Sequence, residues 1–484
     1  MLILILLVIF LVYILLFSLI PYYNLYFLRL YSILGSFFFF IYILIIPFNE
    51  NVYTNLYWGT SYYYCFKFFN INFFFGIDYI SYYFILLVSF LVFLCIFVSS
   101  YTIFYKYKFF VFLLLVIEFI LFLVFTVLDI FLFYFFFETV LFPVFLMISI
   151  WGSRQRKIHA VFQFFFYTIV GSFLLLLSFI FLYSYINTTN ILLLKNYYIT
   201  IDRQLILWFG FFIAFAIKIP MFPFHVWLPE AHVEAPTIGS VLLAGILLKL
   251  GGYGFLRFVI PLFPFANFYY LPLVYTMSVF SIIYISLTAI RQVDLKKIIA
   301  YASIAHMNFV IFGLFSSSLV SLVGSIFLML SHGLVSGGFF FCIGFLYNRY
   351  HTRIIKYYTG IFKIMPLYSI FFFLFILSNI SFPGTSNFIG EFLVLIGLFE
   401  QNIFVFIFAL LSIILTMIYS IWLYNRVFFG ILNKNIVYYN DLNLNEFFVL
   451  LSLLFFVIFF GFFPNFILNN LELCAYKIII YNEY

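Results

Sequence analysis

The chain has 484 residues, 68% of them hydrophobic and 8% charged, with a formal net charge of +7. Roughly half the residues of a soluble domain are apolar, so a mean hydropathy of +1.25 excludes a soluble globular protein. Apolar runs of about 20 residues recur from end to end, each long enough to cross about 30 Å of hydrocarbon. The sequence predicts an all-α polytopic membrane protein with almost no soluble part.

The first run, LILILLVIFLVYILLFSLI at 2–20, lacks a basic leader and a small-residue cleavage site and is too long for a signal peptide, so it reads as a spanning helix. Spans at 28–48 and 79–104 complete an N-terminal segment, 1–108. A five-helix unit over 109–260 then has spans at 109–128, 130–151, 160–186, 204–219 continuing past a break, and 237–259. A second five-helix unit over 271–430 has spans at 271–290, 298–316, 320–346, 366–382 continuing past a break, and 403–424. A last span at 446–468 and a tail fill 431–484, for about fourteen spans in all.

The basic residues test this division, because Lys and Arg accumulate on one side of a membrane protein. Arg29, Lys106, Lys108, Arg154, Arg156, Lys157, Arg291, Lys296, Lys297, Arg349, Arg353, Lys356, Lys363, Arg426 and Lys434 follow odd-numbered spans, 15 of the 22 basic residues. Only Lys67, Lys195, Arg203 and Arg257 fall in loops after even spans; Lys477 is in the tail, and Lys218 and Lys249 lie within spans. Both termini are expected opposite the basic loops. The positive charge reads as topology, and nothing in it suggests nucleic acid.

Two spans are broken by proline, at Pro220 and Pro223 and at Pro383 and Gly384. Irregular backbone is tolerated at membrane depth only where protein or a water-filled cavity surrounds it, and paired breaks point to an internal repeat with an ion path at the breaks. Starts near 109 and 271 differ by 162, and that offset carries Pro220 to the neighbourhood of Pro383. Each unit has an odd number of spans, so the second is expected to be inverted.

The ionisable residues within spans are Glu118, Glu138, Lys218, Lys249 and Glu391, with His306 and His332. A charge at the bilayer centre costs roughly 3 kcal/mol on insertion scales, so these side chains are expected to be paired, hydrated or neutral for part of a cycle. Burial favours a neutral lysine, a nearby carboxylate favours a charged one, and histidine titrates near neutrality. The set reads as a proton relay. The plainer readings are a helix cap for Lys218, core histidines for His306 and His332, and a structural partner for Glu118. His225, Glu230, His232 and Glu234, in the segment after the first break, have a spacing that matches no metal motif; they read as a loop gate. Gly333 and Gly337 read as a close helix contact. The four cysteines, Cys65, Cys95, Cys342 and Cys474, form no C-x-x-C pair, and no glycine-rich nucleotide fingerprint is present, so neither metal nor cofactor is expected. The 82 Phe and 41 Tyr suggest an A/T-biased genome, as in many organelles.

AIKIPMFPFHVWLPEAHVEAPTIGSVLLAGILLKLGGYG (216–254) resembles the signature of the antiporter-like subunits of respiratory complex I. FGIDYISYYFILLVSF, LDIFLFYFFFETVLFPVFLMISIWG, DLKKIIAYASIAHMNF and FPGTSNFIGEF agree with that family in order and spacing, over about residues 73–430. The resemblance implies that Glu138, Lys218 and Lys249 are the family's ionisable residues of the fifth, seventh and eighth spans. It also implies that Glu391 is the last acidic group, where sister subunits carry a lysine. It further implies a proton-pumping, non-redox subunit driven by quinone reduction elsewhere in the complex. Its partners would be other membrane-arm subunits, sister antiporter-like subunits among them, and lipids, in the mitochondrial inner membrane. A multisubunit Na⁺/H⁺ antiporter shares these motifs and is the alternative. A structural scaffold would gain nothing from buried lysines.

Overall fold

The computed structural model describes residues 2–45, 58–63, 73–432 and 440–483. Cys65, Lys67, Lys434 and the end of the second expected span lie outside them.

Helices α1 (Leu2–Leu19) and α2 (Leu25–Ile45) precede an antiparallel hairpin of β1 (Trp58–Tyr63) and β2 (Phe73–Ile77), with Tyr62 opposite Phe74. The all-α expectation missed this hairpin, because a Tyr- and Phe-rich stretch between spans gives no clean alternation to read. Asp78 starts α3 (Tyr79–Thr102) with a reciprocal cap: its carboxylate accepts from the Ser81 N–H at 2.9 Å, and the Ser81 hydroxyl accepts from the Asp78 N–H at 2.9 Å. α4 (Tyr107–Thr126) follows. α5 (Ile130–Thr139) and α6 (Leu141–Trp151) form one span interrupted at Val140, where Pro143 removes the N–H that would reach the Thr139 carbonyl. Then come α7 (Lys157–Ile186), a short α8 (Ile191–Leu194), α9 (Ile201–Lys218) and α10 (Trp227–Glu234). The next span, Thr237–Leu262, is α11 (Thr237–Leu242), α12 (Leu248–Gly254) and α13 (Ile260–Leu262) joined by π-turns at Leu243–Leu247 and Phe255–Val259.

Beyond a short α14 (Pro264–Tyr269) lie α15 (Leu271–Arg291), α16 (Leu295–Phe315) and α17 (Leu319–Tyr350). α18 (Pro366–Asn379) and α19 (Ser386–Gln401) flank the second break, and α20 (Ile403–Phe428), α21 (Leu444–Phe462) and α22 (Asn465–Glu483) close the chain. Among the described residues, 11 spans are long and apolar enough to cross a membrane, and Ile5–Leu19 and Pro366–Asn379 are shorter apolar helices.

Two details differ from the sequence reading. Arg257, assigned to a loop, stands in the second π-turn, buried and paired with Asp78. The last span stops at Phe462, and Pro464 turns the chain into a further helix, α22, packed on α3, α13 and α17.

The helices sort by burial. Spans Thr237–Leu262 and α17 have fully buried cores (100%) and α16 nearly so (94%), whereas α20 (33%) and α21 (28%) are peripheral. Lipid is as apolar as phenylalanine, so peripheral helices expose Phe166, Phe181 and Phe404 at no cost while polar groups gather inside. The same local devices occur twice: Asp129 bridges to Asn190 and Asp294 to Ile354, and α7 and α17 each end on a left-handed residue, Asn187 (φ 58°) and His351 (φ 53°).

Candidate functional site

The first break follows Lys218, the last residue of α9. Pro220 supplies no N–H, so the helix cannot continue. Side chains meet the released backbone groups: Trp227 Nε1 donates to the Ile217 carbonyl at 3.0 Å, Asn308 Nδ2 donates to the Pro220 carbonyl at 3.4 Å, and the Phe222 N–H donates to Ser281 Oγ at 2.9 Å. Gly251 of α12 lets that span approach the break closely, since a Cβ there would lie 2.6 Å from Ile219 Cγ1 and 3.0 Å from the Phe215 carbonyl oxygen.

Lys218 is buried with its ammonium 4.5 Å from the centre of the Phe137 ring, a cation–π contact. Glu138, next to that ring on α5, has a buried Oε1 without a hydrogen-bond partner. The two are near enough to interact electrostatically, yet no carboxylate forms an ion pair with Lys218 among the described residues.

From Lys249 onward the groups are connected, across both units. Lys249 Nζ donates to the Ala244 carbonyl at 2.5 Å, within the first π-turn, and lies 2.9 Å from His332 Nδ1. A π-turn releases carbonyls from the regular ladder, and here one is taken by the lysine. Gly333 brings α17 against that turn, with a would-be Cβ 3.1 Å from the Gly245 carbonyl, so the expected close contact also delivers His332. The His332 and His306 rings are 5.7 Å apart between centroids. His306 Nδ1 lies 2.9 Å from Glu391 Oε1, and its Nε2 lies 3.1 Å from Asn379 Oδ1. Both ring nitrogens of His306 thus have an oxygen within hydrogen-bond range, one of a carboxylate and one of an amide.

The second break combines Pro383 with Gly384 at φ 94°, a conformation that glycine adopts without strain. Beyond it, Ser386 Oγ and both polar atoms of the Asn387 amide are buried without a protein partner. Neutral residues such as Asn308, Asn379 and Asn387 carry no charge signal, and the sequence reading missed them. A buried amide within a turn of a proline break is the pattern that points to two of them.

Glu118 stands apart from this line on α4, with both carboxylate oxygens buried and unpartnered. The four residues after the first break do not converge. His225 stacks on Phe222 (5.8 Å), Glu230 pairs with Lys297 (2.8 Å), and His232 lies flat on Phe340 (4.8 Å) with both nitrogens unpartnered. Glu234 Oε1 is 3.9 Å from Arg353 Nη2.

Comparison with known proteins agrees with this architecture. Residues 127–418 match the family model described as NADH:quinone oxidoreductase/Mrp antiporter, TM. The chain is 55% identical over 409 residues to NADH-ubiquinone oxidoreductase chain 4 of Acanthamoeba castellanii, covering 84% of this chain and 82% of that one. It superposes on a chain of respiratory complex I from Thermus thermophilus with a TM-score of 0.89, at 26% identity and 99% coverage of both. A chain of the Mrp complex from Dietzia sp. shares the fold alone, with a TM-score of 0.86 at 17% identity over 98% of this chain and 97% of that one. The chain thus belongs to the antiporter-like membrane subunits of NADH:quinone oxidoreductases, and within them to the NADH-ubiquinone oxidoreductase chain 4 family.

Proposed function

We propose that this chain moves protons across the membrane as a membrane-arm subunit of respiratory complex I, coupled to quinone reduction carried out elsewhere in the complex. The observation that carries the reading is the hydrogen-bonded succession Lys249–His332 and His306–Glu391 in the most buried part of the protein. A proton leaving Lys249 has His332 Nδ1 as its acceptor. A ring rotation or one water bridges the 5.7 Å between the histidine rings. Glu391, 2.9 Å from His306 Nδ1, is the next group in line, and the unpartnered Ser386 and Asn387 offer a polar exit at the second break. On the other side, Glu138 and Lys218 form the input pair: together they hold a proton, and apart they release it. Glu118 and the group His225, Glu230, His232 and Glu234 serve as auxiliary groups. The chemistry assigned to this chain is protonation of side chains, with no redox group.

The finer architecture belongs to the same reading. Fourteen spans result if α1, α9 with α10, and α18 with α19 are counted beside the 11 long ones. Two five-helix units, 109–260 and 271–430, are supported by the paired local devices: Asp129 and Asp294 are 165 residues apart, Asn187 and His351 164, Pro220 and Pro383 163. Segments 1–108 and 431–484 flank them. Sister antiporter-like subunits and lipids are the assigned neighbours. The A/T-type residue usage supports the mitochondrial inner membrane.

The test is mild purification from native membranes, followed by assay in vesicles. Co-purification with flavin- and iron–sulfur-containing subunits and NADH-driven proton uptake is expected. A stable assembly lacking those subunits and exchanging Na⁺ for H⁺ overturns the proposal in favour of an antiporter.

A further inference from the structure

Two arginines four residues apart, Arg349 in the last turn of α17 and Arg353 just beyond it, have opposite fates. Arg349 is saturated: it reaches Glu446 at 3.0 and 2.6 Å and the carbonyls of Phe345, Asn440 and Asp441 at 3.1 to 3.3 Å. Arg353 is only 1% exposed, yet of its donors only Nη1 makes a hydrogen bond, to the Val233 carbonyl; Nε and Nη2 have none. Glu234 Oε1 makes a buried charge contact with Nη2 at 3.9 Å but accepts no hydrogen bond from it. Burial, and after it the neighbouring Arg154, disfavours the charged guanidinium, and Glu234 and Asp294 only partly offset them. A buried guanidinium with free donors lacks an acceptor, and leaving such donors unmet costs about 1–3 kcal/mol or more.

The missing acceptor has a place. A cavity of about 250 Å³ is lined by Arg353, by Lys296, and by Ser153, Thr237, Tyr347 and Trp151 among others. Among the described residues its charged lining is two cations, with no carboxylate. Lys296 is 3% exposed and spends one N–H on the Ala235 carbonyl at 2.8 Å. Thr237 opens the Thr237–Leu262 span, whose first N–H groups have no side-chain cap, so a helix N-terminus adds partial positive charge. The cavity lies among helix ends on the basic-loop side, and the exposed Phe104 and Tyr105 and the Trp151 indole stand at its rim. Aromatic rings of this kind mark the level of lipid headgroups.

We propose that this cavity is a binding site for a phosphate oxyanion, with Arg353 as the bidentate ligand and Lys296 as the second charge. The diester of a phospholipid headgroup and free inorganic phosphate share this chemistry. Basic pockets between helices at the membrane surface suit the former. The site lies outside the Lys249–Glu391 line and assigns a task to two basic residues otherwise read only as topology.

The experiment uses the assembled complex, wild type and with Arg353→Gln, Lys296→Gln or Ser153→Asp. Ser153 is an exposed loop residue lining the cavity, so Ser153→Asp places a competing carboxylate at its mouth while Arg353 and Lys296 are both retained. Retained phospholipid is counted by native mass spectrometry after delipidation, and ³²P-phosphate binding is measured in parallel. At least one tightly held anion should be lost in Arg353→Gln and Lys296→Gln, and Ser153→Asp should weaken it about tenfold or more, as a like charge at contact distance does. Loss of a phospholipid identifies a headgroup, and loss of saturable ³²P binding identifies phosphate; either supports the site. If assembled Ser153→Asp and Lys296→Gln complexes retain lipid and phosphate as the wild type does, the proposal fails, whatever becomes of Arg353→Gln.

Discussion

The two helix breaks solve the same problem in opposite ways. At Pro220, the carbonyls of Ile217 and Pro220 and the N–H of Phe222 are met by Trp227, Asn308 and Ser281, while the neighbouring Glu138 and Lys218 stand apart. At Pro383 the ionisable pair is made, His306 with Glu391, while Ser386 and Asn387 have no protein partner. Where the backbone is satisfied, the charges are free to move; where the charges are paired, the polar lining is left open. We read the halves as standing at different points of one cycle, with the Lys249–His332 contact as their junction. A switch of this kind needs two states of comparable free energy, and an input that binds one of them better.

The sharpest way to break this comparison is to remove the pair that is made. Glu391→Gln keeps the shape but removes the carboxylate that lies 2.9 Å from His306 Nδ1. Proton uptake per NADH in vesicles should lose the whole share this subunit supplies, in complexes that still assemble. Unchanged uptake would remove the second half from the relay. Next is the pair that stands apart. Lys218→Arg should pump almost as poorly as Lys218→Ala, because arginine keeps its proton. Glu138→Asp should be milder than Glu138→Ala. A fully active Lys218→Arg enzyme would reduce Lys218 to a helix cap.

Smaller effects sharpen the contrast in polar side-chain partnership at the two breaks. Asn308→Leu leaves the Pro220 carbonyl unpartnered and should destabilise by about 1–3 kcal/mol, read as a lower melting midpoint of the complex. The corresponding change at Asn387, which has no protein partner to lose, should destabilise less; equal losses would erase the distinction between the breaks. The smallest effect belongs to Glu118→Gln. Its carboxylate has no partner, so an amide of the same shape should keep uptake within about twofold, a difference of roughly 0.4 kcal/mol by the usual conversion. A large loss there would extend the line to α4.

Much of the line was legible in the sequence because charge is so rare in this chain that each buried ionisable residue announces itself. Lys218 before Pro220, and Glu391 after Pro383 and Gly384, could be placed at breaks from proline chemistry alone. Partnerships were less legible. That Lys249 meets His332 depends on a π-turn and on Gly333 facing Gly245, neither of which leaves a mark in hydrophobic periodicity. Arg257 was assigned to a loop because a basic residue near the end of an apolar run reads that way, while its partner, Asp78, is 179 residues distant. The hairpin of Trp58–Tyr63 and Phe73–Ile77 was hidden by aromatic residues that suit a strand and a membrane helix equally. Asn308 and Asn387 were silent because a neutral amide draws no notice until its hydrogen bonds are counted.

The most direct measurement concerns the junction. Lys249→Met retains the buried volume and removes one partner of the Lys249–His332 contact. Assembled complex carrying it, reconstituted in vesicles and driven with NADH, should reduce quinone yet show proton uptake lowered by the share this subunit supplies, with assembly unchanged on a native gel. Uptake per NADH equal to the wild type, from fully assembled Lys249→Met complex, would contradict the relay.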